Sequence, residues 1–392
     1  MTLIILASCN AGDSGNGGLG NDSHSSGGGV VETTAPSAPT SLSLVTPVST
    51  PGLDSTPTIT VSGVVSGNTV KLFRDSACTI EIGSAVSSGT SVNVTVSSAL
   101  SVSSHFIYAN STNAVGTSPC SSSPVLYTLA SCPANFIPVP HNNEVGTTKD
   151  FCVMKYEAKN NGSGVAVSQV AGNPYALPLV LSQTKCTDLN TLNGVTNKYD
   201  LISNPEWMTI ARNAESVSSN FEAGVMARGW AANSGYTPPD PWTNSAVAPQ
   251  TDSNCLYNTG ADTCGSSGSH LFRRTLTLSN GEVIWDLSGN IYEWVDWSLE
   301  PGLQLGPTTC AYSYVEFPVA ASYACLSGLG NQVFPATSNG SSVEAFGRFS
   351  AGSQGTAIRG GVWWSGSNAG AFELRLDPVP PSNGGFRCVY RP

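Results

Sequence analysis

Between Ala38 and about Ala130, apolar and polar positions alternate. Ile59 and Val61, Val70 and Leu72, Val92, Val94 and Val96, and Phe106 and Tyr108 each recur at every second residue, with turn formers such as Gly67 and Asn68 between runs. Successive side chains of a strand leave opposite faces, so short runs of period two mark strands buried on one side. The pattern predicts an all-β sandwich over 37–130. A helical period replaces it at Ser203, Asn204, Pro205, Glu206, which read as a capping box, followed by Trp207, Ile210 and Ala211 at i, i+3, i+4 spacing. From 214 to 270 Gly, Pro and Asn interrupt every periodic run, which predicts long ordered loops. Residues 10–36 contain almost nothing to bury and read as a flexible tether with an end-to-end distance of roughly 30 Å.

Composition places these segments outside the cytosol. The chain has 392 residues, enough for two or three domains. It is 40% hydrophobic but only 11% charged, with 41 Gly and 25 Pro, whereas ordinary soluble domains are about 25% charged. Sixteen Lys and Arg stand against 26 Asp and Glu, a net charge of -10 without a basic stripe, so nucleic acid is not an expected partner. No apolar run reaches the roughly 18 residues of a membrane-spanning helix.

Eleven cysteines are an odd number for an exported chain. The apolar stretch Leu3, Ile4, Ile5, Leu6, Ala7 ends in Leu6, Ala7, Ser8, Cys9, which resembles a bacterial lipobox and implies lipidation of Cys9. Residues 1–9 then read as the remnant of a lipoprotein signal. They lack the basic start and full apolar core of a complete one, so the expected start lies upstream. Asn10 after the cysteine is compatible with an outer-membrane lipoprotein on the cell-surface or periplasmic face, its lipid being the membrane partner. Cys78 and Cys120 are the only cysteines of the sandwich and are expected to pair. Eight remain beyond residue 130, and spacing suggests Cys132 with Cys152, Cys255 with Cys264 and Cys310 with Cys325, leaving Cys186 for Cys388. Eight cysteines allow about a hundred connectivities, so spacing alone does not fix them.

Two resemblances extend this picture. The stretches TITVSG, VKLFRDSAC, TSVNVTVSSAL and YANSTNAVGTSPCS resemble bacterial immunoglobulin-like surface domains, which implies that 37–130 is a stalk. Beyond it FCVMKYEAKN (151–160), YDLISNPEWMTIARN (199–213), WDLSGNIYEWVDW (285–297), IRGGVWW (358–364) and GGFRCVY (384–390) follow one another. Together they resemble the formylglycine-generating enzyme, or sulfatase-modifying factor, family, which implies an α+β C-type-lectin-like domain over 131–392.

The oxidases of that family bind copper(I) through two cysteines soon after the RGG motif, where soft thiolates are required. The resemblance puts Ser365 and Gly370 at those positions, and neither supplies a thiolate. Cys388 lies at the end of the domain, where a structural disulfide explains it. The iron-dependent relatives carry a histidine cluster. Here His24 falls in the tether and His105 in the sandwich, leaving only His141 and His270, far apart in sequence. Neither copper nor iron is expected. No GxSxG string marks a serine hydrolase.

A structural calcium site is implied by the same resemblance: side chains of Asp286 and Glu293, with backbone carbonyls of Leu287, Gly289 and Ile291 between them. Hard oxygen donors of this mixed kind suit Ca²⁺. Trp285, Trp294, Trp297, Trp363, Arg359, Arg375 and Arg387 fall where the family places core aromatics and internally paired arginines. The segment after RGGVW is different. Trp364, Ser365, Ser367, Asn368, Phe372 and Glu373 occupy the positions that carry catalysis in the oxidases and the variable binding surface in retroelement-diversified lectin-fold proteins. An aromatic beside small polar groups suits recognition. The expected function is a surface lipoprotein whose non-catalytic head binds a glycan, peptide or protein. The alternatives are an enzyme of the same fold using another constellation, and a structural envelope protein.

Overall fold

The computed structural model describes residues 33–170, 172–222, 224–229, 231, 273–297, 315–316, 348–351, 356–362, 365, 369–377 and 383–392. Alternation over the N-terminal part becomes seven strands: β1 (Ser41–Thr46), β2 (Thr58–Ser62), β3 (Thr69–Phe73), β4 (Glu81–Val86), β5 (Ser91–Thr95), β6 (Ser104–Thr112) and β7 (Val125–Thr128). They form two antiparallel sheets, β1–β2–β5 and β4–β3–β6–β7. Ile59, Val61 and Val94 from the first sheet meet Val70, Leu72, Ile82 and Ile107 from the second in one apolar core. The Cys78–Cys120 disulfide forms, joining the β3–β4 turn to the β6–β7 connection.

One strand sits opposite to its expected register. In β6 it is Ile107 and Ala109 that are fully buried, while Phe106 is 55% exposed. The run Phe106, Ile107, Tyr108, Ala109 is apolar on both faces, so periodicity does not choose between them, and the one-residue difference exchanges the faces.

Beyond residue 130 the strands are shorter: β8 (Phe136–Val139), β9 (Phe151–Met154), β10 (Ala158–Asn160), β11 (Ala166–Ser168), β12 (Tyr199–Leu201), β13 (Phe221–Glu222), β14 (Val225–Met226), β15 (Thr275–Thr277), β16 (Val283–Trp285), β17 (Glu293–Trp294), β18 (Val315–Glu316), β19 (Arg348–Ala351), β20 (Thr356–Gly360), β21 (Gly370–Asp377), β22 (Gly385–Phe386) and β23 (Cys388–Tyr390). A four-stranded sheet runs β12–β23–β9–β8 and a six-stranded one β18–β19–β21–β20–β17–β22. Two α-helices stand among the described residues, α1 (Leu179–Leu192) and α2 (Asn204–Glu215). The chain is thus β-rich with little helix.

Helix α2 starts as its sequence predicts. Ser203 Oγ accepts from the Glu206 amide, and Glu206 Oε2 accepts from the Ser203 amide at 2.9 Å. Its Trp207, Ile210 and Ala211 are fully buried. Trp207 Nε1 donates to the Ala371 carbonyl of β21 at 2.8 Å, which fixes the helix against the larger sheet. Cys132–Cys152 and Cys186–Cys388 also form as expected. The expected pairs Cys255 with Cys264 and Cys310 with Cys325 lie outside the described residues, as do Cys9 and residues 10–32 of the expected tether.

Candidate functional site

The turn between β16 and β17 carries the residues expected to surround calcium. Asp286, Gly289 and Asn290 all have positive φ, at 54°, 75° and 63°, so the chain coils tightly between two strands instead of continuing extended. The Gly289 amide donates to the Gly360 carbonyl at 2.8 Å, stapling the turn to the end of β20. Ser288 Oγ donates to the Arg228 carbonyl.

The two carboxylates at the ends of the turn are buried, and each meets an arginine. Asp286 accepts from Arg274 Nε at 2.6 Å and from its terminal amino group at 2.7 Å, a two-point fork. Glu293 Oε1 accepts from Arg387 Nε at 2.9 Å. Arg387 also donates to the carbonyls of Met154, Lys155 and Trp285, joining β9 and β16 to the C-terminal strand. A third carboxylate belongs to the same cluster: Glu157 accepts from Asn290 Nδ2 at 2.6 Å and lies 3.6 Å from Lys159 Nζ. Glu157, Asp286 and Glu293 therefore face Lys159, Arg274 and Arg387, three acids and three bases, all essentially without solvent contact. Burial pushes the Glu157 carboxyl up to about 8, helped by the neighbouring Asp286. The same loss of water lowers Lys159 and raises Glu293 to about 7, with Arg387 opposing the latter.

This arrangement does not fit calcium. The ion takes about six to eight oxygens, but both Asp286 oxygens and one of Glu293 are already engaged by guanidinium groups, which leaves Glu293 Oε2 and Glu157 Oε1 as the only carboxylate oxygens of the cluster without a hydrogen-bond partner. The charges of Asp286 and Glu293 are also opposed by Arg274 and Arg387. Sequence reading took Asp286 and Glu293 as ion ligands and placed Arg387 among internally paired arginines. It missed Glu157, Lys159 and Arg274, whose only signal was charge within otherwise apolar strand-like runs.

The expected recognition segment joins β20 to β21. Its base is rigid. Arg359 is fully buried, with Nε donating to Asn204 Oδ1 at 3.1 Å and another guanidinium nitrogen to the Phe372 carbonyl at 3.0 Å. Its ionisation is pushed down to about 9 by burial. Gly360 and Gly361 both have φ of 82°, and a side chain on Gly361 would meet the Glu373 carboxylate and the backbone of Ala369. At Ser365 the chain turns: its amide donates to the Val362 carbonyl at 2.8 Å, and the Val362 amide to its Oγ at 2.9 Å. Ser365 is half-buried.

Phe372 and Glu373 do not share that position. Phe372 is fully buried in the main core, and Glu373 is 3% exposed behind the glycines. A ligand meeting the outer face of the segment would touch Ser365 but not Phe372. Gly370, the other position expected of a copper cysteine in the oxidases, pairs with Gly360 inside the sheet. Trp363, Trp364, Ser367 and Asn368 lie outside the described residues, as does His270. The framework residues are scaffold: Trp285 and Trp294 are buried, Trp297 packs against the core, and Arg375 lies over the Tyr292 ring at 5.7 Å.

A separate cleft of about 780 Å³ opens where the N-terminal sheets meet the rest of the chain, with Val45, Pro47, Leu53, Pro138, His141 and Asp150 among its walls. His141 Nδ1 lies 2.9 Å from Asp150 Oδ1, which also accepts the His141 amide. None of the residues expected to bind a ligand lines this cleft. No family model matches the chain, and no curated protein does.

Proposed function

We propose that this chain is an anchored surface receptor. Cys9 carries the lipid, 10–36 form the tether, 37–130 an immunoglobulin-like stalk, and 131–392 a head resembling the formylglycine-generating enzymes and other C-type-lectin-like proteins. The head binds a glycan, peptide or protein through the segment between β20 and β21. The observation that carries this reading is the contrast within that segment. Arg359, Gly360, Gly361 and Phe372 are locked into the interior, whereas Ser365 turns partly outward between them. A recognition loop carried on a fixed frame can take on binding residues without loss of the fold. In sequence Trp364 precedes Ser365 and Asn368 follows it by three, residue types suited to aromatic contact and adaptable hydrogen bonding. The oxidase alternative lacks its thiolates, since Ser and Gly stand at both positions.

The test is binding of the labelled full chain to a glycan microarray and to immobilised cell-surface proteins. Saturable binding to a restricted set is expected, weakened at least about tenfold by Trp364→Ala with Asn368→Ala at an unchanged melting temperature. A double variant that binds as tightly as the parent removes this site. Absence of any saturable ligand returns the chain to a structural envelope role.

A further inference from the structure

We propose that Arg274 and Arg387 serve as permanent internal cations of the head, so that the turn 286–293 holds its shape without a bound metal ion. The turn coils because three of its residues adopt left-handed backbone conformations, and coiling brings Asp286 and Glu293 into the interior beside Glu157. Three carboxylates confined without water repel one another and must be neutralised, by protons, by an ion or by side chains.

Two guanidinium groups do it here for Asp286 and Glu293. Arg274 arrives from the residue preceding β15, and its own carbonyl accepts the Asp286 amide at 2.7 Å, so backbone and side chain hold the same aspartate. The guanidinium lies 5.9 Å from the centre of the Trp285 ring. Arg387 arrives from between β22 and β23 and spends its remaining donors on carbonyls of β9 and β16. The planar fork of each guanidinium suits a carboxylate oxygen pair and a converging set of carbonyls, donor geometry that an ammonium does not provide. A divalent ion added to this cluster would place two further positive charges beside two guanidinium groups already paired, in a region of low polarisability.

The experiment follows thermal unfolding of the full chain in excess EDTA and in millimolar calcium chloride. The melting temperature of the head is expected to agree within about 1 °C between the two, because a ligand stabilises only what it binds. Asp286→Asn leaves Arg274 without its charge partner and is expected to lower the melting temperature equally in both solutions. Glu293→Gln serves the same purpose should Asp286→Asn not fold. The proposal is overturned if calcium raises the parent's melting temperature by several degrees and either variant abolishes that rise. A rise that survives both variants locates the ion elsewhere and leaves the arginine assignment standing.

Discussion

At the scale of single residues, Glu206 shows how one side chain serves two purposes. It closes the capping box of α2, and Arg391, near the end of the chain, grips it with Nε at 2.8 Å and a terminal amino group at 2.9 Å. The two roles separate by mutation. Ser203→Ala removes one acceptor at the helix start and is expected to cost about 1 kcal/mol in urea unfolding. Glu206→Ala removes the reciprocal half of the box together with the partner of Arg391 and should cost more. Equal losses would mean that Arg391 contributes nothing, as happens with many exposed pairs. The cap was legible because its chemistry lies within four consecutive residues. The fate of Asp286 was not, since its partner Arg274 stands 12 positions away across a hairpin, and an acidic turn reads the same whether an ion or a guanidinium fills it.

Among the elements, α2 was readable and α1 was not, for a physical reason. In α2 ten of twelve residues are buried around Trp207 and Ile210, and the cap fixes its start. In α1 only Ser182, Cys186 and Leu189 are buried, and Pro178 at the N-cap supplies no side-chain hydrogen bond. Helical spacing is present, but two of the three positions are a serine and a cysteine, which carry little apolar signal. A covalent bond adds to the hydrogen bonds that Asn190 makes with Lys198 and Tyr199: Cys186 is bound to Cys388 of β23, across 202 positions of sequence. Chain entropy assigns such a loop about 5 kcal/mol, of which residual structure in the unfolded state removes part. Replacing both cysteines by alanine is therefore expected to cost about 3–5 kcal/mol. It should also raise amide exchange in α1 more than in α2, whose packing does not use the disulfide. Equal protection in the two helices after reduction would show that α1 is held by packing instead.

For the whole molecule, three apolar clusters divide the described interior. One lies between the two N-terminal sheets; the other two lie beyond residue 130, and the first shares no residue with them. Between the parts, the Leu53 amide points at Asp150 Oδ2 across 3.5 Å, a contact at the outer limit of a hydrogen bond. Cores that share no apolar residue among the described residues should melt separately. The cleft lined by residues of both parts depends on distant segments and left no local trace in the sequence. Calorimetry of the full chain is expected to resolve two transitions. Cys78→Ala with Cys120→Ala should lower one of them and leave the other in place, while Cys186→Ala with Cys388→Ala should do the reverse. If each double variant instead moves a single common transition, the two parts fold as one unit, and the cleft around His141 and Asp150 is then part of a shared interior rather than a seam between two units.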